Sequence, residues 1–166
     1  MRGSLLLTAM LAGVCLPAVA APVQRAEVGA DAQTLAAQVV EWRRDFHRHP
    51  ELSNREVRTG QKIAQALRAM GLEVKTGVAG HGVTAVIEGG RPGPRIALRA
   101  DMDALPVSEQ TGLPFASTAM GQYRGQQVGV MHACGHDAHM AILLGVAKAL
   151  VARRQQLPGQ VLLVFQ

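Results

Sequence analysis

Residues 131–140 carry the densest group of metal-ligating side chains in the sequence. Three of the six histidines and one cysteine fall within Met131-His132-Ala133-Cys134-Gly135-His136-Asp137-Ala138-His139-Met140. A thiolate and imidazoles are the donors that a first-row ion such as zinc selects, and Gly135 allows a tight turn between Cys134 and His136. We therefore predict a metal site with Cys134 and His136 as ligands. His132 and His139 lie beside them without an assigned role.

Two carboxylates, Asp101 and Asp103, follow a short apolar segment that is typical of a β-strand. Residues two apart on an extended segment project to the same side, so both acids can face one site. In α/β sheets, ligands bind at the carboxyl ends of the strands. Both acids are therefore candidate ligands or partners of a ligand, and Asp103 suits the second ring nitrogen of a ligating histidine. The alternative is that both are turn residues before Pro106.

A hydrolytic metal site also needs a carboxylate that acts as general base. No Asp or Glu occurs after Asp137 in this sequence. The base is therefore expected upstream of this residue or is missing from the chain.

Two helices are predicted before these acids. The first covers residues 31–49, with Asp31 as its cap, because its apolar residues recur at steps of four, three and four: Leu35, Val39, Trp42 and Phe46. Pro50 disfavours helical geometry at the residue before it and ends this helix. The segment 53–56, Ser-Asn-Arg-Glu, has the form of a capping box for the second helix. Gly71 suits the left-handed position at the end of that second helix.

The remaining segments predict strands and one further helix. Strands are expected over residues 72–76, 83–88 and 95–100, with the glycine-rich segment 77–82 as a turn, since it lacks the Lys-Ser/Thr ending of a phosphate-binding loop. Residues 104–130 predict a long loop. A buried helix is expected from Met140 to Val151, followed by a strand from Val161 to Phe165 that is covered on both faces. The predicted class is α/β, with a mixed, largely parallel sheet flanked by helices.

Charge and aromatic content argue against nucleic-acid binding. The formal charge is +5, but no run of Lys or Arg is longer than two, and only one Trp, one Tyr and three Phe could stack on bases. With 166 residues, of which 48% are hydrophobic, the chain can form one core or part of a larger one. No nucleic-acid partner is expected.

The first twenty residues have the parts of a secretory signal. Arg2 is the charged start, an apolar core runs from Leu5 to Leu16, and the segment 18–20, Ala-Val-Ala, is a small-residue cleavage site. The apolar run is shorter than the about 20 residues that span a membrane. We therefore predict a signal peptide over residues 1–20, cleavage after Ala20, export to the periplasm or the medium, and no stable membrane insertion afterwards. Residues 21–30 are predicted to be a connector.

Cleavage after Ala20 would remove Cys15 and leave Cys134 as the only cysteine of the mature protein. An unpaired thiol in an oxidising compartment persists when it is buried or held by a metal. The adjacent His136 favours the metal, and the alternative is that Cys134 is a small buried hydrophobic residue.

Four segments in order resemble one branch of the aminoacylase and carboxypeptidase-type metallopeptidases, peptidase family M20. This branch comprises amidohydrolases such as the hippurate hydrolases and the indole-acetyl-amino-acid hydrolases. The segments are Trp42–Leu52, Ala97–Pro106, Met131–His139 and Val164–Gln166. The match covers essentially all of the sequence after the predicted signal.

The resemblance implies a partial zinc-exopeptidase-like catalytic domain over residues 31–166. Cys134 and His136 match metal ligands, and Asp103 matches the catalytic acid that orients the site. Asp101 matches a position that is a histidine ligand in other branches. The implied cofactors are two divalent metal ions, Zn²⁺ or Mn²⁺, with Co²⁺ or Ni²⁺ as alternatives.

The implied activity is hydrolysis of N-acyl amino acids or small peptides by a metal-activated water. The family's general-base Glu, further ligands and a dimerisation domain would follow the Phe-Gln at residues 165–166. The chain is therefore expected to be a truncated N-terminal portion, inactive alone, and a homodimer only if the missing domain were present. Two alternatives stay open: a non-catalytic metal-binding module that uses Cys134 and His136 with His139 or Asp101, and an inert exported fragment.

Overall fold

The structure is a computed structural model that describes residues 25–166. The predicted signal peptide and cleavage site, and the first four residues of the predicted connector, lie outside the described residues. The elements are α1 (Arg25–Arg48), α2 (Val57–Ala69), β1 (Val74–Val78), β2 (Gly82–Glu88), β3 (Arg91–Ala100), β4 (Met120–Tyr123), β5 (Gln126–Gly129), α3 (His136–Ala152), a short 3-10 helix (Arg154–Gln156) and β6 (Pro158–Phe165).

Four strands form a mixed sheet in the order β1-β2-β6-β3. The predicted α/β class and mixed sheet are confirmed, but the prediction of a largely parallel sheet is wrong for this sheet. β1 pairs antiparallel with β2, β2 pairs antiparallel with β6, and only β3 and β6 run parallel. The turn that joins β1 to β2 is too short for a parallel connection, whereas α3 lies between β3 and β6 and supplies the crossover.

The core lies between the helices and one face of this sheet. Alternate residues of a strand project to opposite faces, and those on the covered face of β2 and β6 are buried: Val83, Ala85, Ile87, Val161, Leu163 and Phe165. Ile63 and Leu67 of α2 and Met140 and Leu144 of α3 are completely buried against them. Leu162 and Val164 on the other face of β6 are only partly covered, so the prediction that this strand is covered on both faces is wrong.

Helices α1 and α3 pack against each other at close range. A Cβ atom added to Gly145 would lie only 2.7 Å from Cγ2 of Val39, so the absence of a side chain at this position permits the approach. Because α1 and α3 run antiparallel, the end of α1 reaches the beginning of α3. This arrangement brings α1 to residues 131–139, the predicted metal-ligating loop.

The ends of the first two helices differ from the sequence prediction. α1 begins at Arg25, so residues 25–30 of the predicted connector are helical, and Asp31 is bonded to Arg153 rather than capping the helix. The predicted capping box does not form, because the backbone at the start of α2 is capped from elsewhere. Glu51 accepts hydrogen bonds from the amides of Arg58 (3.1 Å) and Thr59 (2.8 Å).

Two further findings complete the fold. The predicted loop over residues 104–130 contains a small β4–β5 hairpin, whose turn at Arg124 and Gly125 has positive φ at both positions. Gly71 adopts the left-handed conformation predicted for it, with φ 78°. No helix in residues 25–166 has the length and apolar character that crossing a membrane requires.

Candidate metal centre

The parallel pairing of β3 and β6 sets the position of the two predicted acids. The amide of Gln166 donates to the carbonyl of Ala100, and the amide of Met102 donates to the carbonyl of Gln166. Met102 is 1% exposed and anchors the segment in the core. Asp101 and Asp103 flank this anchor, and both carboxylates lie beside His136. The prediction that they face one site is confirmed.

A second backbone contact brings the predicted metal-ligating loop to these acids. Leu105 and Met131 form an isolated antiparallel bridge, with N–O distances of 2.9 and 3.0 Å. Gly135 then precedes α3 with φ 83°, a left-handed conformation that a residue with a side chain rarely adopts. This turn places His136 at the first position of the helix, next to Asp103.

Asp101, His136 and His139 form a cluster that we call the open group. Each residue offers one ligand atom, and the three atoms lie within 4.8 Å of one another. His139 Nδ1 is 2.6 Å from Asp101 Oδ1, and His136 Nε2 is 3.5 Å from Asp101 Oδ2. The two imidazole rings stack, with centroids 5.4 Å apart. Within the described part of the chain this is the one such group of three potential ligands.

Asp103 determines which nitrogen of His136 can reach a metal. His136 Nδ1 lies 2.9 Å from Asp103 Oδ1 and 2.9 Å from the Asp103 carbonyl oxygen. A ring nitrogen that faces two acceptors carries a proton, so Nε2 is the nitrogen left to bind a metal, and it lies on the side of the open group. This contact is the one predicted for Asp103, and its role as the partner of a metal ligand stays a prediction.

The electrostatics of the open group favour a charged carboxylate. Partial burial would raise the pKa of Asp101, but its hydrogen bond with His139 and the charges of His136 and His139 outweigh this effect. The pKa of Asp101 therefore lies below its ordinary value. Arg99 adds a contact of 3.3 Å to the same carboxylate. An ionised carboxylate and two imidazoles are donors that suit a divalent first-row ion.

Cys134 is not part of the open group. Its side chain is exposed on the loop two residues before His136. The alternative that Cys134 is a buried hydrophobic residue is therefore wrong. Its role as a ligand stays a prediction, as does that of His136, and the open group adds His139 and Asp101 as potential donors. A thiolate, two imidazoles and a carboxylate on adjacent segments fit a zinc-type ion.

A second set of polar side chains lies behind the loop, and the sequence did not indicate it. His47, Glu109 and Asp137, which we call the buried network, have side chains that are 5%, 0% and 1% exposed. His47 Nδ1 lies 2.8 Å from Asp137 Oδ2, and His47 Nε2 lies 3.1 Å from Glu109 Oε1. Arg43 also donates to Asp137 Oδ2, at 3.1 Å.

His132 lies beside the buried network and is 4% exposed. Burial lowers its pKa from 6.5 to about 4, although the nearby charge of Asp137 opposes the shift. No described residue offers a hydrogen-bond partner to either of its ring nitrogens. His132 is therefore a neutral, buried histidine at neutral pH and is not in the open group.

Comparisons with known proteins agree with this geometry. Residues 97–166 match the family model described as peptidase family M20/M25/M40. The chain is 44% identical over 137 residues to thermostable carboxypeptidase 1 of Saccharolobus solfataricus, covering 82% of this chain and 33% of that protein. It is 44% identical over 133 residues to N-acetyl-L-cysteine deacetylase of Bacillus subtilis, covering 80% and 30%.

A solved structure gives the same result. A Bacillus subtilis protein described as a dinuclear metal-binding peptidase of the M20 family superposes with a TM-score of 0.72 at 44% identity, covering 81% of this chain and 35% of that one. The chain thus spans about a third of the length of the relatives that it matches.

Proposed function

The chain belongs to peptidase family M20/M25/M40, and from that membership we propose that it carries a metal-ligand loop of a metal-dependent amidohydrolase. The substrates proposed for the enzyme at the length of its relatives are N-acyl amino acids or small peptides. The names of two relatives support this class, since one is a deacetylase of an N-acyl amino acid and the other is a carboxypeptidase.

The observation that carries the proposal is the orientation of His136. Its Nδ1 is held by Asp103, so its Nε2 is directed to the position where Asp101 and His139 also present donor atoms. A histidine held in this way is both oriented and made more basic toward a metal. Cys134 and His136 would hold one ion, with Asp101 and His139 as neighbouring donors.

A divalent ion bound there would supply Lewis-acid activation of a water and of an amide carbonyl. The chain's own residues orient and charge the site. Asp103 fixes the proton of His136 on Nδ1, and the low pKa of Asp101 keeps a negative charge next to the two imidazoles. Both acids are therefore engaged with histidines, which assigns them to orienting donors rather than to accepting a proton from a water molecule. We propose that these 166 residues bind metal and do not hydrolyse amides by themselves.

Metal titration tests this proposal. We expect Zn²⁺ or Mn²⁺ to bind by calorimetry and to raise the melting temperature, because a ligand specific for the folded state stabilises it. His136→Ala should abolish binding, and His81→Ala, in the turn between β1 and β2, is the matched control. Equal binding by wild type and His136→Ala would contradict the proposal. Release of free amino acid from hippurate by the chain alone would contradict the statement about hydrolysis.

A mononuclear, non-catalytic metal site is a second candidate, which the geometry of the open group favours. Asp101, His136 and His139 already converge within 4.8 Å in these residues. Elemental analysis distinguishes the candidates. Two ions per chain support the dinuclear enzyme site, whereas one tightly held ion whose binding depends on His139 supports the mononuclear module.

Export is proposed on the sequence of residues 1–20 alone. The charged start, the apolar core and the Ala18-Val19-Ala20 segment support it. Mass spectrometry of the mature protein tests the proposal, with Ala21 expected as the first residue. An intact N-terminus in the cytoplasmic fraction would contradict it.

A further inference from the structure

The buried network joins three distant parts of the chain immediately behind the metal-ligating loop. His47 comes from the last turn of α1, Glu109 from the segment after Asp103, and Asp137 from the first turn of α3. The contacts are 2.8 Å to Asp137 and 3.1 Å to Glu109. His47 is thus the link between a scaffold helix and two segments that border the open group.

Both nitrogens of the His47 ring face carboxylate oxygens. Carboxylates accept hydrogen bonds, so only the doubly protonated ring can donate to both. Hydrogen bonds involving charged groups are short and directional, and they restrict the orientation of both partners. The ring of Phe115 also packs edge-on against His47, with centroids 5.6 Å apart, and covers it.

Stability alone is a weak reason for such an arrangement. Removing charges from water costs several kcal/mol per ion, and a buried ion pair often contributes no more than a well-packed apolar pair would. What the pair supplies is a fixed geometry, because an alternative rotamer of Asp137 would leave a buried charge unpaired. The location of the network indicates what this geometry fixes.

Asp137 follows His136 directly in the first turn of α3. Successive helical residues project about 100° apart, so anchoring Asp137 on one side sets the direction of His136 on the other. The preceding Gly135 has no side chain to restrict the backbone, so contacts from outside the loop help to fix this rotation. Glu109 holds a different segment, the loop that contains Ser117, because its other carboxylate oxygen accepts a hydrogen bond from the amide of Ser117.

We propose that His47 is a positioning residue for the metal ligands: through Nδ1 it holds Asp137 and with it the first turn of α3, which carries His136. The inference rests on the proposed metal-binding function. The bond through Nε2 to Glu109 fixes the adjacent loop and matters less for the ligands. The two ring nitrogens of His47 therefore have separate roles.

Two substitutions separate these roles. Asn places an amide nitrogen near the position of Nδ1, so His47→Asn can still donate to Asp137. Gln places its amide nitrogen near the position of Nε2, so His47→Gln keeps the partner Glu109 and loses Asp137. His49, two residues further on and 43% exposed, provides the matched controls His49→Asn and His49→Gln.

We expect His47→Gln to weaken Zn²⁺ binding about 10- to 100-fold, the range that is typical when a residue supporting a ligand is lost. His47→Asn should stay close to wild type, and both His49 variants should be unchanged. The readouts are calorimetry and the thiolate-to-Co²⁺ charge-transfer absorption of the Co²⁺ form, measured on protein whose folding is verified by circular dichroism. A general packing defect would affect Asn and Gln alike, and that result would overturn the proposal.

The proposal also predicts how substitution of each carboxylate partner changes Zn²⁺ affinity. These variants keep His47 and so provide a test that does not depend on the folding of the His47 variants. Glu109→Gln should leave Zn²⁺ affinity within a few-fold of wild type, and Asp137→Asn should lower it about 10-fold or more. Equal effects of the two would contradict the inference. If wild type binds no Zn²⁺, both the proposed function and the positioning role are wrong. If wild type binds Zn²⁺ and Asp137→Asn leaves the affinity unchanged, only the positioning role is wrong.

Discussion

His136 and Asp137 are neighbours in the sequence and lie in two opposite environments. The side chain of His136 is 13% exposed and belongs to the open group, whose other members, Asp101 and His139, are 23% and 53% exposed. The side chain of Asp137 is 1% exposed and belongs to the buried network. The first turn of α3 therefore divides a solvent-accessible set of donors from a sealed set of charges.

The difference shows how one short segment can be both accessible and rigid. A metal site must admit an ion and a substrate, so its donors face solvent, where hydrogen bonds compete with water. The buried network faces the interior, where an unpaired charge is costly and each group has few alternatives. We infer that the buried network, on the interior side of the first turn of α3, holds the donors of the open group in position.

Removal of Asp137 should cost far more stability than removal of Asp101. Asp137→Ala leaves His47 and Arg43 without their shared carboxylate, and breaking a buried pair in this way costs about 3–5 kcal/mol. Asp101→Ala removes a partly exposed carboxylate whose contacts compete with water, and should cost about 1 kcal/mol or less. Urea unfolding of the metal-free proteins at pH 7 measures both. A similar loss of unfolding free energy in the two variants would mean that burial does not distinguish the buried network from the open group.

His132 should make the protein sensitive to moderate acid. Its pKa is about 4 in the folded chain and 6.5 when unfolded, so folding favours the neutral ring. The contribution of the neutral His132 ring to the free energy of unfolding is fully present above pH 6.5. It decreases as the pH falls toward 4, because the unfolded chain binds the proton first. One pKa unit corresponds to about 1.4 kcal/mol, so the loss approaches about 3 kcal/mol.

His132→Leu tests this dependence, with His49→Leu as the exposed control. The free energy of unfolding of metal-free protein should fall less steeply between pH 7 and pH 4 in His132→Leu than in wild type. The control should follow the wild-type curve. Parallel curves for all three proteins would show that His132 is not the residue that titrates.

Asp103→Asn should weaken metal binding without a large effect on folding. Asn can no longer offer a charged acceptor to His136 Nδ1, but the backbone carbonyl of residue 103 remains 2.9 Å away and holds the ring in part. We therefore expect the lower end of the usual range, about 10-fold or about 1.4 kcal/mol in Zn²⁺ affinity. Glu73→Gln, an exposed acid outside the site, is the control for charge alone. An unchanged affinity would remove Asp103 from the site.

The two segments that carry the open group could be identified from the sequence because their signals are local, although His139 was left without an assigned role. Asp101 and Asp103 are two residues apart after an apolar strand, and Cys134, His136 and His139 lie within six residues. The helices were equally visible, since an apolar residue every three or four positions indicates a helix in any context. Their ends were not, because Glu51 caps α2 from outside the segment in which the capping box was expected.

The buried network could not be predicted from the sequence, because its members are far apart along the chain. His47 is 90 residues from Asp137 and 62 residues from Glu109, and no spacing rule connects such positions. The position of His47 next to the buried Phe46 was the one available signal, since a histidine close to the inner face of a helix requires partners. The β4–β5 hairpin was missed because its strands are mostly exposed and polar, so no alternation of apolar residues marked them.

The smallest effect on stability is expected at the other end of the α1–α3 pair, away from the metal-ligating loop. Asp31 of α1 pairs with Arg153 at the end of α3, at 2.7 and 3.0 Å, so this ion pair links the two helices as His47 and Asp137 do. It differs in exposure, since the Asp31 and Arg153 side chains are 33% and 28% exposed. Solvent and salt screen such a pair, and its contribution to stability is small.

The hydrogen bond and charge of Arg153 lower the pKa of Asp31 below its ordinary value of 3.8, despite an opposing effect of burial. Its contribution is therefore present above pH 3.8 and disappears as the pH falls through the lower value in the folded protein. Asp31→Asn should lower the urea midpoint slightly at pH 7 in low salt, and the difference should vanish in high salt or once the pH falls below the pKa of Asp31 in the folded protein. A loss as large as that of Asp137→Ala would mean that connecting α1 to α3, rather than burial of the charges, gives the buried network its importance.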